Sequence, residues 1–187
     1  MTSSDGSAAL LSTEIRILTA PAIPQDYRIS IALPRSYASH PERLYPTIYV
    51  TDAIIFFGMI TDTTRAMTLC GDFPDTIVVG IGYPVNDTLD ETMTQWEDLR
   101  ARDLTPMLDL SHGPRTGGAP AFLSFIQADL IPMIEREYRA DPTNRVLAGF
   151  SYGGLFVLHA FVTFPAFLGW FGISAKLAGV LAMFGSI

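Results

Sequence analysis

Cysteine is nearly missing from this sequence. Cys70 stands alone among 187 residues, so no internal disulfide can form and nothing points to an oxidising compartment. A lone thiol of this kind is expected as a small buried hydrophobe. Basic charge is scarce too. Lys and Arg number 12 against 19 Asp and Glu, a formal net charge of −7 with a pI near 4.8. Such a balance gives phosphate backbones nothing to hold and excludes nucleic acid as the expected partner. Charged residues make up only 17% against 49% hydrophobic, which excludes a disordered chain. The opening residues, MTSSDGSAALLS, lack a basic leader and a continuous apolar run. No signal peptide is read there, and the cytoplasm is the expected location.

What is present suits one domain with a substantial core. From Leu155 to Ile187 the only ionisable side chains are His159 and Lys176, a stretch apolar enough to resemble a membrane segment. Pro165, Gly169, Gly172 and Gly179 cut it into short pieces, which favours buried core elements over a membrane span.

Two alternating β-type runs come first, Glu14–Leu18 and Tyr27–Leu33, separated by Pro21 and Pro24. Alternation of this kind predicts an antiparallel pair with one solvated face. Thr47–Val50, Thr76–Ile81 and Val146–Gly149 are instead continuous apolar runs, with Trp170–Ile173 as a fourth. Runs like these fit parallel strands covered on both faces. Helical patterns lie between them at Ile55–Leu69, Ala119–Tyr138 and Leu155–Phe164, and Pro132 should kink the middle one or shift its frame. Strands alternating with helices mean βαβ units and a mostly parallel sheet. The acidic Asp87–Asp98 stretch reads as a solvated loop, without recognisable metal-ligand spacing. Neither H-E-x-x-H nor a Walker A loop occurs, so no metal and no cofactor is expected.

Gly149-Phe150-Ser151-Tyr152-Gly153-Gly154 is the sharpest local signal. In G-x-S-x-G, a serine at a tight strand-to-helix turn is lifted above the sheet edge, and the flanking glycines let strand and helix approach. The context agrees, with VLA before and LFVLHAF after. Ser151 is then a nucleophile candidate, and the Tyr152 backbone N–H, at a helix N-terminus, an oxyanion donor. The alternative is a tight turn with Ser151 as a small spacer. A second donor is expected from the loop Thr51-Asp52-Ala53-Ile54, through the N–H of Ala53 or Ile54. Asp52 there reads equally well as the N-cap of the next helix.

Further motifs run in order along the chain. They are Leu33-Pro34, Tyr45-Pro46, Tyr49-Val50 with Asp52, and Val78-Val79-Gly80-Ile81-Gly82-Tyr83-Pro84. Arg100, Asp103, Thr105 and Pro106 follow as R-x-x-D-x-T-P, then Gly117-Gly118-Ala119 with Phe122, and the Gly149–Gly154 turn. Over Thr13 to Ser174 the chain resembles the esterase family of the α/β hydrolases, which holds siderophore esterases, S-formylglutathione hydrolases, feruloyl esterases and mycolyltransferases. Its strongest likeness is to bacterial trilactone siderophore esterases. The resemblance implies an α/β-hydrolase three-layer sandwich with a mostly parallel sheet, lacking the last strands and helices. It implies a small-molecule ester substrate and an acyl-enzyme at Ser151. Arg100 would be an auxiliary positive group facing the oxyanion or an acidic substrate group, the alternative being an ion pair with Asp103 or Asp98. There are departures. Phe150 stands where the family commonly has histidine, Ala53 where it usually has glycine, and the residues after Ser174 are unlike the family's.

The fold's triad runs serine, acid, histidine, with the last two on loops after later strands. Only His40, His112 and His159 exist. His159 lies eight residues down the nucleophile helix, about 12 Å from Ser151 along the axis, too far to be its base. His112, in the loop SHGPRTGG, is the one candidate substitute. Residues 1–12 are expected as a flexible start, 13–174 as an incomplete α/β-hydrolase domain and 175–187 as an atypical apolar tail. Two rivals to esterase activity follow: a truncated, inactive fragment that self-associates through an exposed sheet edge, and a membrane-associated binding protein.

Overall fold

The computed structural model describes residues 10–110, 115–164 and 169–173. Six strands form one sheet in the order β1-β2-β4-β3-β5-β6. β1 (Thr13–Thr19) and β2 (Asp26–Ala32) make the expected antiparallel hairpin, and β2 pairs antiparallel with β4 (Ile77–Gly82). β4, β3 (Tyr45–Val50), β5 (Ala140–Phe150) and β6 (Gly169–Ile173) are parallel. Among the described residues the sheet ends at β6. β1 departs from expectation: it is an edge strand, and its apolar Ile15 and Ile17 are the half-exposed positions.

The continuous apolar runs have the anticipated cause. Ile77, Val79 and Ile81 of β4 face one core while Val78 faces another; Tyr49 and Leu147 join the first core, Ile48, Val50 and Ala148 the second. With a period of two, a strand covered on both faces needs apolar residues throughout. The second, smaller core is closed by α1 (Ala53–Cys70) through Ala53 and Phe57. The larger core is closed by α3 (Ala119–Phe125), α4 (Ile131–Glu137) and α5 (Tyr152–Thr163).

Pro132 shifts the frame of the middle helix. A π-helical turn, Ile126–Leu130, joins α3 to α4, whose first turn holds the proline. Two expectations fail. Asp87–Asp98 is no loop, because α2 spans Leu89–Leu104. Its buried face is Thr92, Trp96, Arg100, Asp103 and Leu104, largely polar residues that an apolar-periodicity reading passes over. Cys70 is exposed, since it ends α1 where the chain turns outward into Gly71. Of the described helices, α1 alone has the length and composition to cross a membrane, yet it lies against the sheet through β4. Residues 1–9 and 174–187, with the expected flexible start and apolar tail, lie outside the described residues.

Candidate active site

β5 turns into α5 at Ser151, whose φ of 57° and ψ of −118° lie outside the ordinary L-residue regions. Strand and helix meet closely here. A Cβ on Gly149 would collide with the backbone of Gly153, and a Cβ on Gly153 with the Thr51 hydroxyl. Both glycines of the motif are therefore required by packing. Ser151 is half-buried, and its carbonyl accepts the first helical bond from the Leu155 N–H at 3.0 Å. Tyr152 is the first residue of α5, where backbone N–H groups have no acceptor within the helix.

The neighbouring strand ends in the same manner. β3 stops at Val50, opposite Ala148 of β5, and Asp52 adopts φ 55°, ψ 46° before α1 begins at Ala53. Asp52 occupies the N-cap position but makes no side-chain cap. Its buried carboxylate accepts from Trp96 Nε1 at 3.0 Å, Arg100 Nε at 2.9 Å and an Arg100 terminal nitrogen at 3.0 Å. The expected cap is thus replaced by an ion pair, because α2 brings two donors to the carboxylate.

Arg100 lies beside the serine turn, as the motif reading expects, but its ion-pair partner differs from the alternatives read from the sequence. Its partner is Asp52, not Asp103 or Asp98: Asp103 binds Arg102, and Asp98 binds Arg115. The guanidinium lies 4.6 Å from the Trp96 ring centroid and 5.1 Å from that of Tyr152, and donates to the Phe150 carbonyl at 3.4 Å. Burial alone would lower its pKa; the hydrogen bonds and charge of Asp52 hold it above the ordinary arginine value. Arg100 therefore ties the Asp52 loop to the serine turn.

The rest of R-x-x-D-x-T-P holds α2 in place. Asp103 is buried and accepts from Tyr27 Oη at 2.8 Å and Tyr83 Oη at 3.1 Å. Thr105 Oγ1 accepts the Gly117 N–H at 2.8 Å, and the Arg102 carbonyl accepts the Gly118 N–H at 2.8 Å. Sequence reading missed Trp96. Two signals could have found it: the T-x-x-E pattern of Thr88 and Glu91, whose threonine hydroxyl accepts the Glu91 N–H and caps α2, and the spacing of Trp96 and Arg100, four residues apart on one helix face.

No described histidine approaches Ser151. His40 bonds Ser39 Oγ at 3.0 Å in the loop after β2. β2 runs antiparallel to β4 and ends at Ala32 opposite Val78, so that loop lies at the sheet edge remote from Ser151. His159 is in the second turn beyond Ser151, half-buried, its pKa lowered by burial. His112 lies outside the described residues. A mostly apolar cavity of about 180 Å³ between Pro34, Arg65 and Asp75 is at the remote edge too. Beside the serine turn is a smaller apolar one of about 100 Å³, lined by Phe56, Met59, Gly149 and Phe150.

The geometry sets two helix N-termini side by side above one sheet edge, one led by a serine of positive φ. A family model described as "Putative esterase" matches residues 20–184. The chain belongs to this esterase family. Ferri-bacillibactin esterase BesA of Bacillus subtilis (strain 168) is 34% identical over 166 residues, 82% of this chain and 54% of that protein. The siderophore enterobactin esterase of Emericella nidulans is 30% identical over 75% of this chain and 50% of its own length. The crystal structure of the BES protein from Bacillus cereus superposes with a TM-score of 0.82 at 28% identity, covering 99% of this chain and 71% of that one. The fold is that of the α/β hydrolases. The chain spans about half the length of the curated relatives it matches.

Proposed function

We propose that this chain carries the acyl-transfer site of a serine esterase acting on small-molecule carboxylic esters. Ser151 Oγ attacks the ester carbonyl, a tetrahedral oxyanion forms, and the alcohol leaves to give an acyl-enzyme that water then hydrolyses. The N–H groups of Tyr152 and Ala53, each first in its helix, receive the oxyanion, and each such donor is typically worth about 3 kcal/mol. Arg100 supports both donors from beneath, since Asp52 occupies its carboxylate-facing edge. Substrates with several ester bonds, of the kind named for the siderophore esterases among the relatives, are the class to try first. The observation that carries this reading is the positive φ of Ser151 between two glycines that strand–helix contact requires.

A second reading rests on the histidines: His40 and His159 sit away from Ser151, so the chain is an esterase scaffold in which acyl transfer is not completed. Fluorophosphonate labelling of the purified chain, with Ser151→Ala as control, separates the two. Labelling that depends on Ser151 supports the first; no labelling of folded protein supports the second.

A further inference from the structure

We infer that Trp96 is a positioning residue for the oxyanion-binding loop, acting through Asp52; this rests on the reading of Ser151 as the nucleophile. An aspartate at an N-cap ordinarily turns its carboxylate onto the N–H groups of its own helix. Asp52 does not, because both its oxygens are drawn towards α2, one to Trp96 and Arg100 and the other to Arg100. Two consequences follow for α1. The Asp52 carbonyl accepts the N–H groups of Ile55 at 3.0 Å and Phe56 at 3.1 Å, whereas the carboxylate that would cap the first turn is engaged elsewhere. The Ile54 N–H, which a capping carboxylate would take, is thereby left for an external oxygen beside the Ala53 N–H, which an N-cap side chain does not reach. The same pull also holds Asp52 in the left-handed region, a conformation that persists only when its surroundings enforce it.

Trp96 and Arg100 divide the work differently. Arg100 reaches both the loop and the serine turn, through Asp52 and the Phe150 carbonyl. Trp96 adds one directed N–H to Asp52 and a flat ring under the guanidinium. Without that N–H the carboxylate keeps its charge partner but loses one of the donors fixing its rotation about Cβ–Cγ, and the first turn of α1 gains freedom. Trp96 touches no reacting atom in this scheme.

The test is Trp96→Phe in the full chain, which keeps a ring beneath Arg100 and deletes the donor. The saturating rate of Ser151 modification by a fluorophosphonate should fall about tenfold, less than the loss from removing an oxyanion donor outright. The probe concentration for half-maximal rate should stay unchanged, a split that general destabilisation does not produce. In parallel, amide hydrogen exchange at residues 51–54 should quicken several-fold while β3 keeps its protection. Parent-like labelling and exchange in the variant overturn the inference, as does quickened exchange throughout β3. If the parent chain itself is not labelled, the nucleophile reading fails, and the exchange measurement alone still decides whether Trp96 fixes the loop.

Discussion

Asp52 and Ser151 both hold positive φ, 55° and 57°, at the tips of two adjacent parallel strands. Strand passes into helix across Ser151 alone in one case and across Thr51 and Asp52 in the other, so α1 and α5 begin side by side. Gly153 is the point where the two turns touch. A side chain there would meet Thr51 Oγ1 first and lie 3.3 Å from Asp52 Oδ2. Conformational cost at two residues is thus converted into a shared edge of backbone N–H groups.

That contact predicts a rescue. Gly153→Ala should destabilise the fold by about 1–3 kcal/mol, the usual cost of overpacking. The obstructing atom is a side-chain hydroxyl that has no hydrogen-bond partner among the described residues, so Thr51→Ala should recover at least half of the loss. Gly149→Ala meets backbone instead, and Thr51→Ala should not help it. Urea midpoints of the single and double variants measure both cases; strict additivity for Gly153→Ala with Thr51→Ala would count against the clash.

The ion pair of Arg100 and Asp52 makes a second prediction. Their side chains are 8% and 0% exposed, so screening by water is slight. Arg100→Met strands a buried carboxylate and should cost about 3–5 kcal/mol, whereas the Asp52→Asn, Arg100→Met pair should cost less than Arg100→Met alone. Denaturant unfolding of the three proteins gives the answer. A double variant worse than Arg100→Met would mean that the hydrogen bonds of Asp52, not its charge, dominate.

Alkaline stability should depend on Tyr27 and Tyr83. Burial, then the charge and hydrogen bond of Asp103, pushes the Tyr27 hydroxyl far above its ordinary pKa, and Tyr83 shifts the same way, also by burial first. In the unfolded chain a tyrosine ionises near pH 10. The folded form therefore binds more protons above that pH: stability is intact below about pH 10 and falls as pH rises further. Tyr27→Phe should lose about 1 kcal/mol at pH 7 through the missing hydrogen bond, yet show a shallower decline between pH 10 and 11. Unfolding free energies across that range check it; an unchanged slope would place the titration elsewhere.

The fold was readable because both sheet faces are covered. Full coverage writes continuous apolar runs into β3, β4 and β5, and a strand-to-helix turn without room for Cβ writes Gly149 and Gly153. What stayed hidden was α2. Its inward face carries Thr92, Trp96, Arg100 and Asp103, whose burial is supported by hydrogen bonds and charge, so hydrophobic periodicity is silent there. The true partner of Arg100 was hidden for the same reason. Asp52 is 48 positions away, and pairing across such a separation is set by the crossover of α2 over the sheet edge, not by local spacing. Asp98 and Asp103 were nearer in sequence but already served Arg115 and Arg102.

The histidines supply the last prediction. Loss of a true general base from a serine site costs on the order of 10⁶ in rate. His159 follows Ser151 by two helical turns, about 12 Å along the axis, and burial lowers its pKa. His40 bonds to Ser39 at the opposite edge of the sheet. Neither can take the Ser151 proton, so His40→Ala and His159→Ala should each leave the rate of fluorophosphonate labelling within about twofold of the parent, far from the loss that a base implies. His159→Ala removes a half-buried ring from α5 and should lower the melting temperature by a few degrees, which separates packing from chemistry. Loss of labelling in a folded His159→Ala protein would show that the proton leaves Ser151 along α5, and the assignment of the site to the shared strand edge would have to be redrawn.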